Sequence, residues 1–437
     1  MHQITRRHLM KLGLASGVLA AVAASPARAL VEIVVGGGNF VPLPIAIPDF
    51  ASSDPSFGKE IADIVRANLK RSGLFAPMDP ASLPARTGDV NNTPDFAAWR
   101  GINVDALVMG QVERGGQIQS AVRVWDTQAA QQVAGNQYSA DSQSSRRIAH
   151  IVSDAIYASL AGDNGYFDSQ VVFIAESGPK ANRKKQLAIM DQDGANLQTL
   201  SSGNALTLTP RLSRNNSMVA FTAYDDGNPQ VYVAALGGKS KKLINNAPMS
   251  FAPRFSPDGS TVAFSVSNGG TTNIYAAGVN GAQATQLTSG AAIDTSPCYS
   301  PDGSRIVFES DRGGQPQLYM MGAGGGGAQR ISYGQGSYST PVFSPKGDMI
   351  AYTRQSGGKF QIGIMQPDGS GERVLVDSFH AEGPSFCANG RVIMFFRDAG
   401  GDGGPSLYTV DIWGRNEQKV ETGSYASDPN WGSLRAS

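Results

Sequence analysis

The chain has 437 residues, with 36 Lys+Arg matched by 36 Asp+Glu, 41% hydrophobic and only 16% charged residues. This length and apolar content supply cores for two or three domains and exclude long disorder, which requires low hydrophobicity with high net charge. Zero formal charge gives no basic footprint for nucleic acid, and 52 glycines without a Gly-X-Y period imply tight turns rather than collagen.

Residues 1–29 read as a secretory signal peptide. Arg6, Arg7 and Lys11 form a basic start, Leu12 to Ala24 is apolar and small, and Ala27-Arg28-Ala29 offers cleavage after Ala29. The apolar run is too short to cross a membrane. The paired arginines, with Leu9 and Lys11 behind them, also resemble a twin-arginine signal, and the general secretory route stays open beside it. Cleavage removes four basic residues and no acidic one, so a mildly acidic exported chain is expected, not embedded in the membrane.

Residues 30–165 predict a small α/β domain. A strand over Leu30, Val31, Glu32, Ile33, Val34 and Val35 precedes Gly36-Gly37-Gly38 and an extended Leu43 to Phe50. A helix follows over about Phe57 to Ser72, with Ile61, Ile64, Val65 and Leu69 on one face and Gly73 as its stop. Strands at Ala106 to Val112, Ile118 to Trp125 and Gln132 to Gln137 lead to a second helix, about Ser142 to Leu160.

Residues 166–437 carry an internal repeat. Pro210-Arg211-Leu212-Ser213, Pro253-Arg254-Phe255-Ser256-Pro257-Asp258-Gly259, Pro297-Cys298-Tyr299-Ser300-Pro301-Asp302-Gly303, Pro341-Val342-Phe343-Ser344-Pro345-Lys346-Gly347 and Pro384-Ser385-Phe386-Cys387-Ala388-Asn389-Gly390 align, with Pro429-Asn430-Trp431 at the end. The leading prolines lie 43, 44, 44, 43 and 45 residues apart. Each unit opens a strand at Pro, turns at Ser-Pro-Asp-Gly and continues through three more short strands, the period of a β-propeller blade. Three strands precede Pro210 and one lone strand surrounds Trp431, which together make a complete blade. The sequence therefore predicts six blades closed by the C-terminal strand, leaving no open sheet edge.

The residues that could carry chemistry are few. Beyond the signal, His150 falls on the second helix and His380 between blades, too far apart for a zinc cluster. Cys298 and Cys387 sit in repeats two apart and are expected to be buried free thiols. No Gly-x-Ser-x-Gly nucleophile motif occurs. Gly322 to Gly327 fits Gly-x-Gly-x-x-Gly but joins two strands instead of opening a helix. Asp191-Gln192-Asp193-Gly194 reads as a hairpin turn with a calcium-like look, and Lys180, Arg183, Lys184 and Lys185 as a solvated basic loop. No catalytic residue, metal or cofactor is expected.

The order of these elements resembles the TolB family, the periplasmic component of the Tol-Pal system of Gram-negative bacteria. The resemblance rests on the Val/Ile strand after the signal, on Leu43-Pro44-Ile45-Ala46-Ile47-Pro48-Asp49-Phe50, on Asn68-Leu69-Lys70-Arg71-Ser72-Gly73-Leu74-Phe75, on Gly101 to Gly110, and on the blades. It implies a monomeric, non-enzymatic adaptor in the periplasm. Such proteins bind the peptidoglycan-associated lipoprotein Pal at the propeller mouth and inner-membrane TolA through the extreme N-terminus, maintaining the outer membrane and drawing it inward at division. Carried onto this chain, Leu30 to Val35 become the TolA strand, although glycines 36–38 stand where the family has polar residues. The segments entering each innermost strand become the Pal face, represented by Met249, Phe251, Ala252, Asp294, Thr295, Ser296, Tyr338, Glu382 and Tyr425. A propeller hydrolase and a glycan- or small-ligand-binding propeller are the alternatives from other classes.

Overall fold

A computed structural model describes residues 40–436, apart from 204, 225, 226, 246, 282 and 402. The signal peptide with Ala29, and the strand expected over Leu30, Val31, Glu32, Ile33, Val34 and Val35, lie outside the described residues.

The first domain begins with β1 (Leu43–Ala46), β2 (Asp49–Phe50) and α1 (Pro55–Arg71). Asp54 caps α1 by accepting from the Ser56 and Phe57 N–H groups, and Pro55 occupies the first turn, where no donor is needed. Lys70 and Arg71 face the negative end of the helix dipole, and Gly73, at φ 74°, ends the element. Next come β3 (Phe75–Pro77), β4 (Thr87–Gly88), a short α2 (Phe96–Arg100), β5 (Ala106–Arg114), β6 (Gln117–Asp126), β7 (Gln131–Asp141) and α3 (Ser145–Ala161). The main sheet has the order β3-β1-β5-β6-β7, parallel on its β3-β1-β5 side and antiparallel beyond.

Ile61, Val65 and Leu69 of α1 and Ile148, Val152 and Ile156 of α3 are buried in one core, as their 3.6-residue spacing predicts. Gly110 admits the Phe50 ring so closely that a Cβ there would stand 2.5 Å from it. That contact couples the two N-terminal motifs of the sequence.

The second domain is a six-bladed β-propeller of four-stranded antiparallel sheets. Blade 1 comprises β8 (Ser169–Ser177), β9 (Lys184–Asp191), β10 (Gln198–Thr199) and the C-terminal strand Tyr425–Leu434. The last strand is innermost and runs antiparallel to β8, with Trp431 opposite Val171. Trp431 is buried, donates from Nε1 to the Ser169 hydroxyl at 2.8 Å and meets the Tyr166 ring edge-on at 5.6 Å. Blades 2 to 6 start with the innermost strands Leu206–Leu212, Met249–Phe255, Asp294–Tyr299, Ser337–Phe343 and Ala381–Phe386. At the far end of these strands the turns behave as their sequence asks. The Ser256 hydroxyl donates to Asp258, whose carboxylate also accepts from Ser260, and Gly259 takes φ 73°. Those bonds, led by Ser256, pull the Asp258 pKa down to about 2.

The N-terminal domain sits against the turns of blades 1 and 6. The Asn416 amide donates to the Arg71 carbonyl at the end of α1, and Arg391 and Lys346 both pair with Asp163 in the linker. His150 of α3 lies 3.7 Å from Asp191, and Arg71 and Arg146 both pair with Asp193. The fold thus brings together His150 and the Asp191 turn, which the sequence read separately, in a group whose ligand atoms lie within 4.8 Å of one another. Both carboxylates are already engaged: Asp191 by His150, Asn196 and Arg435, Asp193 by the two arginines. This cluster is a charged seam between domains.

Candidate partner-binding face

The innermost strands share one irregularity. Just before its proline, each slips against its blade neighbour, at Leu208/Arg211, Phe251/Arg254, Thr295/Cys298, Ser339/Val342, Glu382/Ser385 and Ser427/Asn430. The residue immediately before the proline is left-handed in all six: Thr209 (φ 48°), Ala252 (52°), Ser296 (52°), Thr340 (48°), Gly383 (67°) and Asp428 (50°). Two residues face one at each slip, a β-bulge placed where proline has no N–H to lose. A non-glycine residue in this region costs roughly 1–3 kcal/mol and persists only where its surroundings hold it. The adjacent blades supply the hold. Ala252 N–H donates to Thr222 Oγ1, Gly383 N–H to Thr353 Oγ1 and Thr209 N–H to the Asp428 carboxylate. A ring of fixed backbone results, set at one mouth of the channel.

Carboxylates gather beside this ring. Glu309 accepts from Thr295 Oγ1 at 3.4 Å, Glu382 lies 3.4 Å from His380 Nε2, and Asp428 holds the Thr209 amide. Burial foremost, with the Glu382 and Asp311 charges adding, pushes the Glu309 pKa up to about 7. Burial and the Asp428 charge also raise Glu382, against the pull of His380. An exposed apolar rim surrounds these acids: Leu206, Ile293, Phe379 and Tyr425, with Phe379 69% exposed. Arg183 lies over the Tyr425 ring at 4.5 Å, and Arg183 and Lys185 both pair with the buried Glu176. Of the basic loop expected to be solvated, Lys180 and Lys184 are exposed, whereas Arg183 and Lys185 fold onto the mouth.

The sequence-predicted residues divide by strand parity. Phe251, Thr295 and Glu382, two positions before the proline, are half-buried at the mouth, as are Met249, Ala252 and Ser296, while Tyr425 is exposed. Asp294 and Tyr338 need correction. They stand three positions before the proline, where Thr207, Ser250, Ala381 and Ala426 are buried as well. Side chains alternate along a strand, so this position points into the blade. The Asp294 carboxylate is held through both oxygens by Arg312 at 2.9 Å, and the Tyr338 hydroxyl donates to Glu372 at 2.6 Å. Neither is presented to a partner. The sequence reading missed Leu206, Phe379 and Glu309. Extending the repeat alignment toward the preceding loops and to the second strands would have found them.

A titration tests the buried acid. An unfolded glutamate releases its proton near pH ~4.3, whereas folded Glu309 holds it to about 7. Between these values the folded state binds the extra proton, so this group's contribution lowers stability as pH rises. Glu309→Gln should match the parent near pH 5 and melt several degrees higher at pH 8. A melting-temperature difference that does not change with pH would contradict the burial of that charge.

Two family models match this chain. One, described as the TolB beta propeller domain, covers residues 157–435, and the other, the TolB amino-terminal domain, covers residues 31–133. The chain belongs to the TolB family. Among solved structures it is similar to TolB from Acinetobacter baumannii at 25% identity and TM-score 0.80, over 90% of this chain and 97% of that one. It is also similar in fold alone to hydrazine synthase from Kuenenia stuttgartiensis, at 13% identity and TM-score 0.50, over 62% of this chain and 47% of that one. As a TolB-family member the chain has a general role in the Tol-Pal system. No helix among the described residues is long and apolar enough to cross a membrane.

Proposed function

We propose that this chain is a periplasmic, non-catalytic adaptor that links Pal, at the outer membrane and peptidoglycan, to inner-membrane TolA. Its role is outer-membrane integrity and invagination during cell division. The observation that carries the reading is the mouth: an apolar rim with aromatic anchors around half-buried carboxylates, mounted on a hydrogen-bonded ring of backbone. Interface centres favour aromatic anchors and fixed polar groups of this kind. His380, the histidine at this face, packs against Phe360 and pairs with Glu382 rather than with a Ser or Cys nucleophile, which supports binding over hydrolysis. Pal is assigned to this mouth through Met249, Phe251, Ala252, Thr295, Ser296, Glu382 and Tyr425. TolA is assigned to Leu30 to Val35, whose Val/Ile pattern suits addition of a strand to a partner sheet.

Calorimetry with the mature chain and purified Pal and TolA tests both assignments. Deleting residues 30–38 should abolish TolA binding and leave Pal binding and the melting temperature unchanged. Undiminished TolA affinity would overturn the N-terminal assignment, and absence of Pal binding by the parent chain would overturn the adaptor reading itself.

A further inference from the structure

Behind the mouth stand the residues that follow the six prolines. Five of them, Arg254, Cys298, Val342, Ser385 and Asn430, line a cavity of about 440 Å³ that opens on the Ser-Pro-Asp-Gly turns, away from the mouth. The sixth, Arg211, occupies the same register in blade 2. Two adjacent blades therefore carry arginines at one register, of which Arg254 lines the cavity.

Neither cation is neutralised. Arg211 Nη1 donates to the carbonyl of its own neighbour, Pro210, at 2.7 Å, and neither guanidinium forms an ion pair with a described residue. The opposing carboxylate that acts on Arg211 is Asp428, which is already bonded to the Thr209 amide. Arg254 has a buried Nε without a hydrogen-bond partner. Burial foremost, with the Arg254 charge adding, draws the Arg211 pKa down to about 9, still charged at neutral pH, and burial lowers Arg254 as well. Opposite them, the Ser385 hydroxyl accepts from the Trp431 N–H at 2.9 Å and, more weakly, from Asn430, and donates to no described residue.

Two like charges in a low-dielectric channel are costly unless a counter-charge joins them. Planar guanidinium groups match the oxygens of phosphate and carboxylate. We propose that the propeller channel binds a compact oxyanion, a phosphate or a small carboxylate, between Arg211 and Arg254, with the Ser385 hydroxyl as a further donor. The anion enters from the turn face and leaves the mouth free. This site is independent of the adaptor reading, since its test involves neither Pal nor TolA.

The test is calorimetry and thermal melting of the mature chain with sodium phosphate in one arm and sodium acetate in the other, each against sodium chloride at equal ionic strength. Saturable binding in either arm, with a matching rise in melting temperature, is expected, and the stronger arm identifies the source. Arg254→Gln and Arg211→Gln should each weaken that binding at least tenfold. Each should also melt, without added anion, at or above the parent, because one of two repelling charges is gone. Should one variant fail to fold, the other carries the comparison. The proposal falls if neither phosphate nor acetate exceeds chloride, or if binding is unaltered in the folded arginine variants.

Discussion

Trp431→Ala should lower the stability of the propeller by about 3–5 kcal/mol, the usual cost of removing a large buried aromatic, and truncation before Asp428 should cost more. The indole is buried, hydrogen-bonded to Ser169 and packed on Tyr166, so its loss leaves a cavity and removes the bond that the Ser169 hydroxyl accepts. In a domain of this size each kcal/mol moves the melting temperature by roughly 2–4 °C, so the point variant should melt several to about 20 °C early. Truncation additionally strips most of the innermost strand from blade 1 and opens a sheet edge beside β8. Differential scanning calorimetry decides the matter. A truncated chain with the parent's midpoint and cooperativity would mean that the ring does not depend on this closure.

The second large effect concerns Pal. Ala252 and Thr295 sit on neighbouring blades, half-buried at the mouth, one at a left-handed ring position and the other just before one. Ala252→Trp combined with Thr295→Arg should weaken Pal binding by well over tenfold, about 1.4 kcal/mol, by filling the space a partner would occupy. Asp258→Lys with Asp302→Lys, on the turns at the opposite end, should change binding little. Circular dichroism melts accompany both pairs, so that loss of fold is not mistaken for loss of contact. If the turn variants weakened binding more than the mouth variants, the binding face would be the opposite one.

Much of this architecture was legible because each blade repeats the same local instructions. Proline spacing counted the blades, and the three strands before Pro210 with the lone one at Trp431 required that the ring close as it does. The helices of the first domain followed from apolar spacing. What escaped was of two kinds. The left-handed ring at Thr209, Ala252, Ser296, Thr340 and Asp428 has no sequence signature, since a residue before proline is ordinarily extended. Only the neighbouring blade, with Thr222 and Thr353 in place, selects that conformation. The errors at Asp294 and Tyr338 arose from reading chemistry before parity: a charge and an aromatic seemed suited to an interface, yet their register turned both inward. The seam cluster of His150, Asp191 and Asp193 joins residues far apart in the chain and depends on domain packing.

The seam where the ring closes is also a mechanical junction. Arg435, one residue past the closing strand, clasps Asp168 and Asp191, while Arg147 of α3 bonds Asp168 and the Ala436 carbonyl. Through this clasp α3 is tied to the end of the strand that pairs with β8 and closes blade 1. The first domain is thus fastened to a strand paired with β8 and pinned by Trp431, as well as to the turns of blade 6. One strand therefore both closes the ring and holds the two domains together.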